Sequence, residues 1–269
     1  MKRLSNDEVK AVGFQILKHI KAVCQANGLR YTLFGGTLLG AARHNGFIPW
    51  DDDIDIALPL PDYWKLIEIL RKDDTYKLFV ETDELNYTYS FAKLTDPSTV
   101  VFEPNQPRDG MLGVWVDIFP LLPVPDTMSV AQYIALLDKA NENVFASINW
   151  NYCFALSPLK RIAKAILFFP KFLVYKAKGT EYWKRKRMAL YELIPYETAE
   201  RVGNIPSIYG DRSVWPKDMY EEYSTLPFEG EAFSVVTRWD ECLRITYGDY
   251  MQLPPVEKRI GGHFEAYYR

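Results

Sequence analysis

With 269 residues, 48% apolar and 25% charged, the chain has the composition of a soluble globular protein with a sizeable core, in one large domain or two small ones. A formal charge of −3 argues against a general nucleic-acid binder. Cys24, Cys153 and Cys242 are odd in number and scattered, follow no metal spacing, and fit a reducing, cytoplasmic compartment.

Residues 1–23 lack the long apolar run of a secretory signal, so the sequon Asn86-Tyr87-Thr88 reads as chance. Ser5 and Glu8 form a capping-box pattern ahead of an amphipathic helix with Val9, Val12, Phe14, Ile16 and Ile20 as its apolar positions. Residues 31–34 are a short β-type run interrupted by Gly35 and Gly36, which let the backbone approach whatever sits above it. Residues 37–43 have helix-forming composition with Thr37 as N-cap. Next comes Trp50-Asp51-Asp52-Asp53-Ile54-Asp55-Ile56. On a strand, Asp53 and Asp55 share one face while Ile54 and Ile56 point into the core. Asp51 joins that face only if the strand starts that early, and Asp52 points the other way.

Pro61 and Asp62 open a helix over 63–71 with Trp64, Leu66, Ile67 and Leu70 inward. Strand-like runs follow at 77–81, 89–94, 99–102 and 112–119. The last sets Asp117 amid apolar and aromatic residues, where a lone carboxylate is costly. It is satisfied either by a metal shared with Asp53 and Asp55, or by ending the strand and capping a turn before Pro120. Lys93 reads either as a phosphate contact or as an ordinary solvent-facing lysine.

From residue 127 the pattern turns mainly helical, over 128–149, 159–178 and 181–193. Ten basic residues against one acid lie between 160 and 187, which puts this segment at +9 and the rest of the chain at −12. Its apolar run at 166–169 is far short of the roughly 20 residues a membrane span requires. Residues 159–188 read either as a surface resting on anionic lipid or as the solvated basic face of a core helix. The C-terminal third has loops rich in Tyr, Trp, Pro and Gly, then a helix over 233–247. The expected architecture is an α/β core with a mixed sheet over 1–125, followed by a mainly helical region over 126–269 packed on it.

Hydrolase, zinc-protease and P-loop signatures are all lacking. His19 reads as structural. What remains is a Gly-Gly turn into a helix, an Asp-x-Asp on a strand and a third Asp on a later strand. Such a set suits Mg²⁺ (or Mn²⁺) held against a di- or triphosphate, with turn amides cradling oxygens. Phosphoryl transfer depends mostly on such positioning and charge neutralisation.

The run GGTLLGAARHNGFIPWDDDIDIAL resembles the signature of the LicD family, phosphocholine transferases of bacterial surface polysaccharides, with fukutin-related phosphoribitol transferases as relatives. The segments VWVDIFPL and YGDYMQLPPVEKR are also similar to that family, so the resemblance covers most of the chain. It implies a nucleotidyltransferase-like fold, a CDP-activated donor, release of CMP, and transfer of a phospho-alcohol to a sugar hydroxyl. Carried over by residue, Asp53, Asp55 and Asp117 become metal ligands, and Gly35, Gly36 and Thr37 donor-phosphate contacts. Arg43 suits charge neutralisation there, since a guanidinium matches phosphate oxygens. Asp51, Asp52 and His44 belong to the motif as supporting residues. Arg259 and His263 match the C-terminal pattern without a chemical step.

The donor stays open between CDP-choline and a CDP-alditol. Choline would want an aromatic cage, for which Trp50, Trp115, Tyr87 and Tyr89 stand near the motif in sequence. The acceptor would be a glycan precursor carried on a lipid at the inner face of the membrane. Plain nucleotidyl transfer and a non-catalytic glycan- or nucleotide-binding protein are the competing readings.

Overall fold

The computed structural model describes residues 1–83, 87–102, 112–148, 157–205, 207, 209–259, 261 and 264–269. Asn86, Cys153 and His263 lie outside the described residues. The expected capping box opens α1 (Asn6–Ala26): Ser5 Oγ accepts from the Glu8 amide and the Glu8 carboxylate accepts from the Ser5 amide. The helix buries Val9, Ile16, Leu17 and Ile20 against the sheet.

Strand β1 (Thr32–Leu33) is joined through α2 (Gly35–His44) to β2 (Asp55–Pro59), and α3 (Leu60–Leu70) follows directly. Then come β3 (Lys77–Phe79), β4 (Ala92–Thr95), β5 (Thr99–Phe102) and β6 (Trp115–Val124). The main sheet runs β1-β2-β6-β4-β3, with β2 and β6 parallel and the other neighbours antiparallel. This is the mixed α/β core expected. Only Phe119 in β6 is not buried, so the strand reads as an almost continuous apolar run rather than an alternation. Asp117 is its third residue, which overturns the alternative of a strand end capping a turn.

Helices α4 (Val130–Ile148) and α5 (Pro158–Lys178) lie where the periodicity predicts them, and α6 (Thr180–Met188) ends short of the expected residue 193. Beyond Met188 the chain is richer in strand than the sequence indicates: β7 (Arg201–Gly203), β8 (Val214–Pro216), β9 (Tyr223–Phe228) and β10 (Glu231–Val236). Helix α7 (Trp239–Tyr247) and β11 (Glu265–Tyr268) complete the chain. The helix expected over 233–247 is therefore a strand for its first part. The cause is the turn at Glu229 and Gly230, whose φ values of 50° and 79° give the twist a two-residue hairpin needs.

These late strands return to the N-terminal half. β7 pairs with the end of β6, β11 pairs with β5, and the Val236 amide of β10 donates to Thr32 Oγ1. Cys24 and Cys242 are buried free thiols, pushed up to about 12 mainly by burial. His19 meets the Asp73 carboxylate at 2.7 Å, the structural role expected of it.

The basic segment does not form one solvated face. Arg187 and Lys184 are buried, and Arg187 donates to Glu81 and to the carbonyls of Thr88 and Tyr89. Nor is α5 a core helix, since Leu159, Ile162, Ile166, Leu167, Leu173 and Val174 are all exposed on it. No helix among the described residues is long and apolar enough to cross a membrane.

Candidate active site

Register brings the carboxylates together. Asp55 opens β2 and pairs directly with Asp117 of the parallel β6, while Lys93 of β4 pairs with Asp117 from the other side. Equal register on adjacent strands puts side chains on the same face of the sheet. Asp53 precedes β2 rather than sharing a strand with Asp55, yet both line one cavity of about 490 Å³ together with Asp51, Asp117, Gly35 and Gly36. That size suits a small-molecule ligand.

The glycines are required by close approach. A Cβ on Gly35 would lie 2.8 Å from Asp55 Oδ2, and one on Gly36 would lie 2.7 Å from Asp51 Oδ2. Gly35 also has φ +53°, a conformation costly for other residues. The first turn of α2 thus presents its backbone to the carboxylates. Thr37 is not the N-cap: the helix begins at Gly35 behind Phe34, which supplies no side-chain cap. Thr37 is buried instead, and its Oγ1 accepts from the Asp55 amide at 2.8 Å, tying α2 to the start of β2.

The site is crowded with negative charge. Asp55 is raised well above the usual carboxylate range, first by burial and then by the charges of Asp53, Asp117 and Asp51. Asp117 is pushed up to about 6 by burial, opposed mainly by Lys93. The Lys93 ammonium lies 2.6 Å from Asp117 Oδ1 and sits over the rings of Trp115 (4.0 Å), Tyr89 (4.7 Å) and Phe91 (5.2 Å). It is 2% exposed, which overturns the solvent-facing reading.

Among the described residues, no three His, Cys, Asp or Glu side chains already stand together as a metal-binding group. The donor chemistry still fits a hard divalent cation: Asp53, Asp55 and Asp117 offer carboxylate oxygens to one cavity, and, after burial, their mutual charge raises Asp55 and Asp117. The residues therefore suit the ion as a donor set that is not preassembled.

Arg43 does not line the cavity. Its Nη1 donates to the Tyr250 carbonyl at 2.7 Å and its Nε to His44 Nε2 at 3.0 Å. Arg259 lies over the Trp50 ring at 5.3 Å, and its charge helps to lower Arg43, after burial. Arg43, His44, Trp50 and Arg259 thus form a separate basic and aromatic cluster. Asp52 is buried away from the cavity lining.

The aromatics nearest the motif in sequence do not line the cavity either: Trp115 and Tyr89 face Lys93, and Tyr87 donates to the Phe91 carbonyl. Its aromatic wall comes from Phe34 and Phe119 with Tyr209, Trp215, Tyr220 and Tyr247. Phe34 meets Trp215 edge-on at 5.7 Å and Phe119 at 5.9 Å. The late residues were missed because short irregular strands carry them far from the motif. The density of Tyr and Trp in the C-terminal third was the one available signal.

A mixed α/β core whose paired strands bring Asp55 and Asp117 to a glycine-edged cavity is the arrangement of a nucleotidyltransferase-like protein. Residues 28–162 match the family described as LicD/FKTN/FKRP, nucleotidyltransferase domain. Over 275 aligned positions the chain is 30% identical to the lipopolysaccharide cholinephosphotransferase LicD of Haemophilus influenzae, covering 100% of this chain and 99% of that protein. It is 32% identical to the human ribitol 5-phosphate transferase FKRP over 138 residues, 43% of this chain but 27% of that protein. The chain belongs to the LicD family.

Proposed function

We propose that this protein is a transferase that moves phosphocholine from CDP-choline to a sugar hydroxyl of a cell-surface glycan precursor and releases CMP. The acceptor oxygen forms a bond to the choline-bearing phosphorus, the bond from that phosphorus to the CMP oxygen breaks, and the acceptor proton leaves to a carboxylate. The observation that carries the reading is the pairing of Asp55 with Asp117 in a cavity edged by Gly35 and Gly36. Whole-length similarity to a named cholinephosphotransferase supports the choice of phosphocholine. Mg²⁺ or Mn²⁺ held by Asp53, Asp55 and Asp117 would neutralise charge on the donor diphosphate. The amides of the first α2 turn would meet its oxygens. The wall of Phe34, Phe119 and Trp215 suits a trimethylammonium group, which offers no hydrogen bonds.

A phosphoribitol or phosphoglycerol transferase using a CDP-alditol is the second reading, favoured by the similarity to FKRP. Calorimetric titration with CDP-choline, CDP-ribitol, CDP-glycerol and CTP, each with and without Mg²⁺, separates them. Metal-dependent binding of CDP-choline alone is expected. Preference for an alditol changes the product, CTP without any CDP-alcohol points to nucleotidyl transfer, and no binding at all defeats the enzyme reading.

Peripheral contact with anionic lipid at the inner face of the membrane is part of the same proposal. Its support is α5, which exposes Leu159, Ile166 and Leu167 at 82%, 69% and 76% beside exposed Lys160, Lys171, Lys176 and Lys178. A lipid-linked acceptor would then be presented at the protein's own resting surface.

A further inference from the structure

A second hollow of about 570 Å³ lies outside the carboxylate cavity, between the segment leading into β4 and one flank of α4. Asp138, Asn141, Glu142 and Phe145 recur at the spacing that lines one face of a helix. Leu137, Ala140 and Val144, one position before Asp138, Asn141 and Phe145, are buried, as is Tyr133 earlier in the helix. Tyr89 and Phe91 form the facing wall. The groove thus combines three aromatic rings with two carboxylates and an amide.

Its two walls are held by a buried guanidinium. Arg187 donates to the carbonyls of Thr88 (2.8 Å) and Tyr89 (3.0 Å) on one side, and to Asn141 Oδ1 (2.8 Å) on the other. The Glu81 carboxylate, 3% exposed, balances its charge. With its oxygen fixed on Arg187, Asn141 is oriented so that its amide NH₂ serves as the donor. Glu142 pairs with Lys139 at 2.8 Å, both well exposed, an ion pair that a ligand displaces at little cost.

The groove abuts the candidate active site. Phe91 of the groove and Phe119 of the carboxylate cavity are in contact at 4.4 Å between ring centroids, so one ring pair divides the two spaces. Helix α5 packs against α4, and Tyr175 of α5 donates to Asn143 at 2.8 Å. One wall of the groove is therefore on the helix against which α5 packs, and the other abuts the carboxylate cavity.

We infer that this groove binds a pyranose ring of the acceptor glycan, a reading that rests on the proposed transferase activity. A sugar ring presents apolar C–H faces to aromatic rings and hydroxyls to carboxylates and amides, and the groove supplies both. Trimethylammonium would use the rings and the charge but leave the Asn141 donor and Ser90 without a role.

Saturation-transfer NMR on the whole protein tests this, with methyl glucoside, methyl galactoside, N-acetylglucosamine and choline chloride as probes. Transfer to at least one sugar is expected, reduced about fivefold by Phe145→Ala and by the double variant Asp138→Asn/Glu142→Gln, and kept by Asp53→Asn. The double variant alters only exposed acids, so it reports even where Phe145→Ala fails to fold. Three results overturn the inference: no transfer to any sugar, transfer that ignores both groove variants, or a groove signal seen with choline alone. CDP-choline titration of the two groove variants, Phe145→Ala and Asp138→Asn/Glu142→Gln, stays as in the parent protein. Loss of donor binding in the parent protein would instead count against the transferase reading and leave the sugar result to stand by itself.

Discussion

The pair Lys93–Asp117 shows how one residue sets the character of the site. The ammonium is enclosed by three rings and the carboxylate is 8% exposed, so neither charge has bulk water as an alternative partner. Lys93→Met leaves a buried unpaired charge and is expected to cost about 3–5 kcal/mol by chemical denaturation. Lys93→Met/Asp117→Leu should recover most of that loss while remaining inactive, and a double variant no more stable than Lys93→Met would show that the pair is not coupled. At Asp55 the sign reverses, because burial and three neighbouring carboxylates all oppose its ionised form. Asp55→Asn should stabilise the metal-free protein by about 1 kcal/mol and lower phosphocholine transfer by about 10²-fold or more, read by thermal unfolding and CMP release. A destabilised Asp55→Asn would mean that the charges are better compensated than this crowding implies.

At the scale of elements, α2 and α5 carry opposite designs. Helix α2 is placed by contacts: Thr37 holds Asp55, and Gly35 and Gly36 make room for carboxylates. Gly36→Ala should therefore fold yet weaken donor binding, since its methyl must displace Asp51 Oδ2. Helix α5 leaves its apolar residues in solvent, which a free-standing helix gains nothing by doing. Co-sedimentation with vesicles containing phosphatidylglycerol should retain the protein, and vesicles of phosphatidylcholine alone should retain much less. Ile166→Asp/Leu167→Asp should abolish retention without lowering CDP-choline turnover on a water-soluble acceptor. Equal retention on both vesicle types would remove the electrostatic part of the argument.

For the molecule as a whole, the acidic cavity gives stability a definite pH dependence. Folding raises Asp117 to about 6 and raises Asp55 as well, so both favour the protonated fold. Their stabilising contribution is complete below the ordinary carboxylate range, about 4, and is lost as pH rises through about 6 for Asp117 and through the raised range of Asp55. In chelator, the melting temperature attributable to these groups should rise as pH falls from about 7.5 to 5, and the slope should flatten in Asp55→Asn/Asp117→Asn. Identical slopes would place the titration elsewhere. Metal-dependent donor binding should run the other way and weaken as pH falls through about 6, because the same oxygens must be deprotonated to hold a cation.

The sequence by itself determined the α/β core, the Gly-Gly entry to α2, the candidate aspartates and the family, because these lie in local patterns: strand-like runs, helical periods and a long contiguous motif; strand alternation did not place Asp53, which precedes β2. The sequence also determined α4 and α5, whose apolar periodicity is strong, and the start of α6. Tertiary structure alone decided that Lys93 is buried on Asp117, since nothing local distinguishes an inward lysine from an outward one until β4 is in register with β6. Tertiary structure likewise decided the aromatic wall, where Tyr209, Trp215 and Tyr220 arrive on short strands and turns with no period to read. It settled Thr37 as a brace rather than a cap and Arg187 as the bolt between α4 and the Thr88–Tyr89 segment. Each of these depends on a partner distant in sequence, and only the folded chain brings that partner near.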